Sequence, residues 1–182
     1  MRQLQPTVDH HGMANQSATR WFRPPEGFYK CNIDASTPEQ GNNVGMGMIL
    51  RDSSGQFLIA QKIHHEGSFS VKEAEGMALK EVLSRVLTLS LQNVQFETDS
   101  KSVVDSLQHD VEDRTEYGAI IKDCRALISL GVNFTVLFIK RQANGVAHQI
   151  ARAHCNQGSF IVFTDPPQFL EVPLSVDTTC YE

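Results

Sequence analysis

The sequence is poor in the features that stabilise a fold from outside its own core. Its four cysteines, Cys31, Cys124, Cys155 and Cys180, are scattered with no C-x-x-C pair. That spacing excludes the usual zinc sites and a compact disulfide framework, so free thiols of a reducing compartment are expected. No stretch approaches the ~18 apolar residues of a membrane span, and the first residues lack the apolar core of a secretory signal. A soluble intracellular protein, nuclear or cytoplasmic and monomeric, is the expectation. Positive charge is also short: 16 Lys and Arg against 21 Asp and Glu leave a net charge of −5. A polyanion therefore cannot be gripped by a general basic face.

What is present describes one ordinary domain. The chain has 182 residues, of which 41% are hydrophobic, enough for a single core. Residues 1–20 show no apolar periodicity and read as a disordered leader, in which His10-His11 is a solvated pair with no third metal ligand at fixed spacing. A domain is expected over 21–155 and a C-terminal tail over 156–182.

Within the domain the hydrophobic period changes once. From Phe28 to Ala35, Tyr29, Cys31, Ile33 and Ala35 alternate with Lys30, Asn32 and Asp34, as in a half-buried strand. Val44–Leu50 reads as a second strand, in which Gly45 and Gly47 imply close backbone approach. A turn at Arg51–Gly55 leads to a third strand, Gln56–His64, completing an antiparallel meander. The spacing then predicts a helix over Val71–Leu89, with Val71, Leu79, Val82, Leu83 and Val86 on one face. Val94–Thr98 is a fourth strand, followed by a short helix, Lys101–Gln108, and another helix containing Tyr117, Ile121 and Cys124. Val132–Lys140 is the fifth strand, and a last helix spans about Ala143–His154. This order predicts an α/β fold with a mixed sheet, a helical crossover bringing strand four parallel to an earlier strand. Beyond it, Phe160–Phe163 is read as part of an extended tail because of Pro166, Pro167 and Pro173.

Three carboxylates stand where ordinary surface charges do not. Asp34 lies inside a strand, where aspartate is disfavoured. Glu75 leads the core-facing stripe of its helix, whereas Glu73 falls on the solvent side. Asp99 closes the fourth strand at its carboxyl end, where functional residues of parallel crossovers collect. Taken singly, these could be a turn residue, a helix-dipole charge and a helix cap. Taken together, a parallel crossover would converge them, and their mutual repulsion would call for a cation. Oxygen ligands select Mg²⁺ or Mn²⁺, and a pair of such ions performs phosphodiester displacement.

The motifs Trp21, Pro24-Pro25, Lys30, Asn32-Ile33-Asp34, Gly47–Asp52, Ala74-Glu75, Glu97–Ser100 and Arg141, Asn144, Val146–His148 and Ile150–Arg152, in this order, resemble the plant ribonuclease H-like (reverse-transcriptase-like) domain. The resemblance covers about Trp21 to Cys155. It implies a ribonuclease H-like fold, a five-stranded mixed sheet flanked by helices, and cleavage of the RNA strand of RNA–DNA hybrids with two Mg²⁺ or Mn²⁺ ions. It further implies that Asp34 bridges both ions, that Glu75 and Asp99 hold one, and that a fourth residue on the last helix supports the second. A retroelement origin fits this family.

The fourth position is His148, where ribonucleases H usually carry Asp. It supplies no negative charge, so the second ion would be held more weakly. The link Lys140-Arg141-Gln142 lacks the histidine of bacterial enzymes, and Ala35 replaces the usual glycine. No basic helix follows the main helix, which implies low hybrid affinity. Ser36, Asn42 and Asn43 are candidates for reading sugar hydroxyls. Lys101, Lys140, Arg141 and Arg152 are candidates for phosphate contact, and Asn144 joins the substrate-binding set. Two other readings follow from His148: a nucleic-acid-binding module with a weakened site, or a protein-interaction domain with a vestigial one.

Overall fold

A computed structural model describes residues 19–37, 43–109, 112–153 and 160–178. Most of the leader, His10-His11, Asn42, Cys155 and Cys180 lie outside the described residues.

Strands β1 (Tyr29–Ser36), β2 (Asn43–Arg51) and β3 (Phe57–Glu66) form the antiparallel meander. Its second turn is built on Asp52, whose Oδ1 accepts from the backbone N–H groups of Ser54 and Gln56 at 2.9 Å each. Gly55 takes the left-handed conformation the turn requires, φ 86°. Helix α1 (Val71–Thr88) opens with a capping box between Ser70 and Glu73. It then lays Ala74, Ala78, Leu79, Val82, Leu83 and Val86 on the sheet. Val71, expected on the buried stripe, is exposed because it is the helix's first residue and precedes the contact with the sheet.

The chain returns through β4 (Val94–Thr98), parallel to β1 as expected. Helices α2 (Lys101–Gln108) and α3 (Glu116–Leu130) follow, and β5 (Thr135–Phe138) pairs parallel to β4. A 3₁₀ turn, Arg141–Asn144, runs directly into α4 (Gly145–Arg152). Beyond α4, Phe160–Phe163 is a sixth strand, β6, antiparallel to β3, rather than extended tail. The prolines that argued against a strand all lie after it, and an edge strand needs partners on one side only. The sheet order is β5-β4-β1-β2-β3-β6. A second 3₁₀ turn, Gln168–Leu170, precedes α5 (Glu171–Thr178). No helix among the described residues is long and apolar enough to cross a membrane.

The sheet is covered on both faces. Cys31, Ile33, Met46, Met48 and Phe96 face α1, α2 and α3 in the main core. Ile49 and Ala60 face α4 and Leu170 in a smaller one. Strand β1 is therefore not half-buried: Lys30, Asn32 and Asp34, the residues expected to face solvent, are at most 1% exposed. Trp21 and Phe22 lie against Lys30, Trp21 and Asn144 against Asn32, and His148 of α4 against Asp34, and two glycines let α4 approach. A Cβ on Gly45 would lie 2.2 Å from the carbonyl oxygen of Ala151, and one on Gly47 2.6 Å from that of Ala147. The buried Lys62 of β3 completes this contact by donating to the carbonyls of Ile150 and Ala151 at the end of α4.

Candidate active site

Asp34 sits on β1 opposite Gly47 of β2 and beside β4, whose last residue is followed directly by Asp99. The start of α1 crosses the carboxyl ends of these strands and presents Glu75. One carboxylate oxygen from each of Asp34, Glu75 and Asp99 falls within 4.8 Å of the others. Glu73, two residues away, is spent on the helix cap. The division of roles between the two glutamates thus follows from helix phase.

The cluster is electrostatically incomplete. Asp34 is fully buried, and among the described residues its Oδ1 has no hydrogen-bond partner; the same holds for Oε2 of Glu75. Burial pushes the Asp34 carboxyl up to about 6, against a lowering hydrogen bond from His148 and with the Asp99 charge adding to the rise. Glu75 is pushed up to about 9, first by burial and then by the charges of Asp34 and Asp99. Orphaned buried oxygens on converging carboxylates are the donor set a hard divalent cation takes.

Helix α4 supplies the fourth residue. Its close seat on Gly45 and Gly47 brings His148 Nδ1 to 2.9 Å from Asp34 Oδ2. Arg141, from the preceding 3₁₀ turn, lies over the opening: its Nη2 is 3.1 Å from both ring nitrogens of His148, and its Nη1 is 3.4 Å from Asp99 Oδ2. The guanidinium is largely exposed.

The other expected residues divide. Ser36 is two positions beyond Asp34 on the same face of β1, and Asn43 begins β2 opposite Glu66 of β3; both are half-buried. Lys140 and Arg152 are exposed. Lys101 is exposed but engaged by Asp105 one turn along, at 2.8 Å. Asn144 is 1% exposed, with its amide turned inward to Asp99 Oδ1 at 3.2 Å and to the Ile33 carbonyl at 2.8 Å. It contacts the site from behind instead of facing outward to a substrate. Sequence reading assigned no role to the buried polar residues Lys30, Asn32 and Glu97 beside it. For Lys30 and Asn32 the signal is the polar row of β1, a strand covered on both faces; Glu97 lies on β4.

Carboxylates on the adjoining ends of two parallel strands, in a sheet extended by an antiparallel meander, define a ribonuclease H-like fold. The chain belongs to the reverse transcriptase-like family, whose family model matches residues 32–154. Solved structures share the fold. Ribonuclease H1 from the halophilic archaeon Halobacterium salinarum NRC-1 is 15% identical, with 68% of this chain and 97% of that chain covered at a TM-score of 0.59. LC11-RNase H1, solved in complex with an RNA/DNA hybrid, is 17% identical, covering 67% and 92% at a TM-score of 0.59. LC9-RNase H1, a type 1 RNase H with the type 2 active-site motif, is 13% identical, covering 86% and 87% at 0.60. No curated protein matches the chain.

Proposed function

We propose that this protein is a divalent-cation-dependent endonuclease that cleaves the RNA strand of RNA–DNA hybrids. The observation that carries the reading is the convergence of Asp34, Glu75 and Asp99 with two buried carboxylate oxygens unpaired. These three residues would hold one Mg²⁺ or Mn²⁺ ion, and Asp34 with His148 would support a second. Ions so held supply the activation of water and the stabilisation of the leaving oxygen. The chain's own residues do the remainder. Asp34, fixed in the sheet, sets the position of the reacting phosphate. His148, hydrogen-bonded to Asp34, orients that carboxylate without adding negative charge. Arg141, exposed beside Asp99, offers a bidentate guanidinium to an approaching phosphate. Ser36, on the face of β1 that carries Asp34, and Asn43, at the start of β2, would read sugar hydroxyls. With a net charge of −5, binding rests on these local contacts and is weak and salt-sensitive.

The test is a labelled hybrid incubated with Mg²⁺ or Mn²⁺. Cleavage by the native protein and its loss in Asp34→Asn support the reading; no cleavage, or equal cleavage by the variant, sinks it. His148 favours a second reading, a nucleic-acid-binding module of retroelement origin with a weakened site. His148→Asp separates the two: cleavage created by that change and absent from the native protein would assign the second.

A further inference from the structure

The candidate site is backed by a chain of buried polar groups whose donor and acceptor senses are all determined. Asn32 and Glu97 are directly paired across β1 and β4. The indole Nε1 of Trp21, a donor only, gives its hydrogen to Asn32 Oδ1 at 2.9 Å. Glu97, an acceptor only, takes a hydrogen from Asn32 Nδ2 at 3.0 Å through one oxygen and binds Lys30 at 2.7 Å through the other. These two contacts leave the Asn32 amide a single orientation. Its Nδ2 therefore faces Asn144 Oδ1, at 3.4 Å. The amide of Asn144 is fixed in turn, with its Nδ2 toward the Ile33 carbonyl and Asp99 Oδ1.

We propose that Asn32, held by Trp21 and Glu97, is a positioning residue that sets the amide of Asn144 and, through it, the carboxylate of Asp99. This rests on the cation-binding reading of the site. Two observations support it beyond the contacts. A buried ion pair such as Lys30–Glu97, with side chains 1% and 3% exposed, is weak as a source of stability compared with apolar residues of the same volume. It does hold an acceptor at a fixed place under Asn32. Further, Trp21, which precedes β1, is 1% exposed and aimed into this network. The segment before β1 therefore reaches the site through Asn32.

The experiment titrates the full-length protein with Mn²⁺, read by the loss of the free-ion electron paramagnetic resonance signal, alongside circular dichroism of the cation-free state. Asn144→Ala and Asn32→Ala should each weaken Mn²⁺ binding about tenfold or more, the usual effect of removing a group that orients a ligand. The double variant should lose no more than the stronger single one, because both act through one chain. Trp21→Phe keeps an aromatic ring in the buried pocket and removes the donor together with the five-membered ring of the indole. It should weaken Mn²⁺ binding in the same sense with native circular dichroism, and it decides the matter should an asparagine variant fail to fold. In hybrid cleavage the loss should fall on kcat and leave KM unchanged. Native Mn²⁺ affinity in a folded Trp21→Phe, or additive losses in the double variant, would overturn the proposal while leaving the cation site intact. A native protein that binds no Mn²⁺ would overturn both.

Discussion

On the proposed function, a cation entering the acidic cluster competes with protons, and the competition sets a slope with pH. Glu75 has its carboxyl raised to about 9 and Asp34 to about 6, while a cation takes the ionised forms. At pH 7 only about one Glu75 side chain in 100 is ionised, so the apparent Mg²⁺ affinity should stand about 100-fold below its limit at high pH. Between pH 7 and 9 it should rise about tenfold per pH unit, because a single proton leaves as the ion binds. Below pH 6 Asp34 is protonated as well, and the slope should steepen toward two protons. Calorimetric titration with Mg²⁺ at pH 7.5, in two buffers of different ionisation enthalpy, gives the proton count directly. About one proton released is the expected result. Glu75→Gln should bind more weakly and release none at that pH. A Mg²⁺ affinity flat from pH 6 to 9, with no proton released, would refute the argument that Glu75 is buried against like charge.

The same groups fix the pH dependence of the cation-free fold. Because the folded values of Asp34 and Glu75 are raised, their contribution is fully present below the ordinary carboxylate range and is lost as pH climbs through about 6 and then about 9. Melting temperatures in chelator should therefore fall from pH 5 to pH 9, and a rising profile would contradict this. Gly47→Ala should force α4 off β2, since its Cβ would lie 2.4 Å from Ala151 N and 2.6 Å from Ala147 O. A loss of about 1–3 kcal/mol in denaturant unfolding is expected, together with weaker hybrid cleavage as His148 leaves Asp34. Lys62→Met strips the carbonyls of Ile150 and Ala151 of a buried donor. It should cost about 1–3 kcal/mol in the same measurement, and an unchanged midpoint would show that α4 does not need this tie.

The elements that the sequence made legible are those in which periodicity and packing agree. Helix α1 was readable because its apolar stripe separates Glu73 from Glu75, and the meander because Asp52 and Gly55 punctuate it. The three carboxylates were legible jointly and not singly, because only the expected parallel crossover brings Asp34, Glu75 and Asp99 to one place. Other features depend on contacts between distant segments. The outward row of β1 reads as solvent-facing until α4 is known to lie on it, and nothing in Lys30, Asn32 or Glu97 alone states that they meet. Strand β6 was hidden by its surroundings, since a four-residue apolar run carries too little periodicity to outweigh the prolines that follow it. Asn144 was legible as part of a motif but not as buried, because its inward direction is set by the 3₁₀ turn before α4.

Site and fold are linked through charge. Asp34, Glu75 and Asp99 come from β1, α1 and the end of β4, elements that meet only in the folded chain. Without a cation their convergence opposes folding, since two of the three carboxyls are held well above their ordinary values. With a cation the same three groups become a cross-link between two strands and the helix that covers them, and binding free energy adds to folding free energy. His148 moderates both states. Its Nδ1 lies 2.9 Å from Asp34 Oδ2, so one oxygen of the innermost carboxylate is satisfied before any ion arrives. An aspartate in its place would bind a second cation more strongly but would place a further negative charge against the buried Asp34. On the proposed reading, the histidine would therefore exchange affinity for a second ion against stability of the cation-free fold.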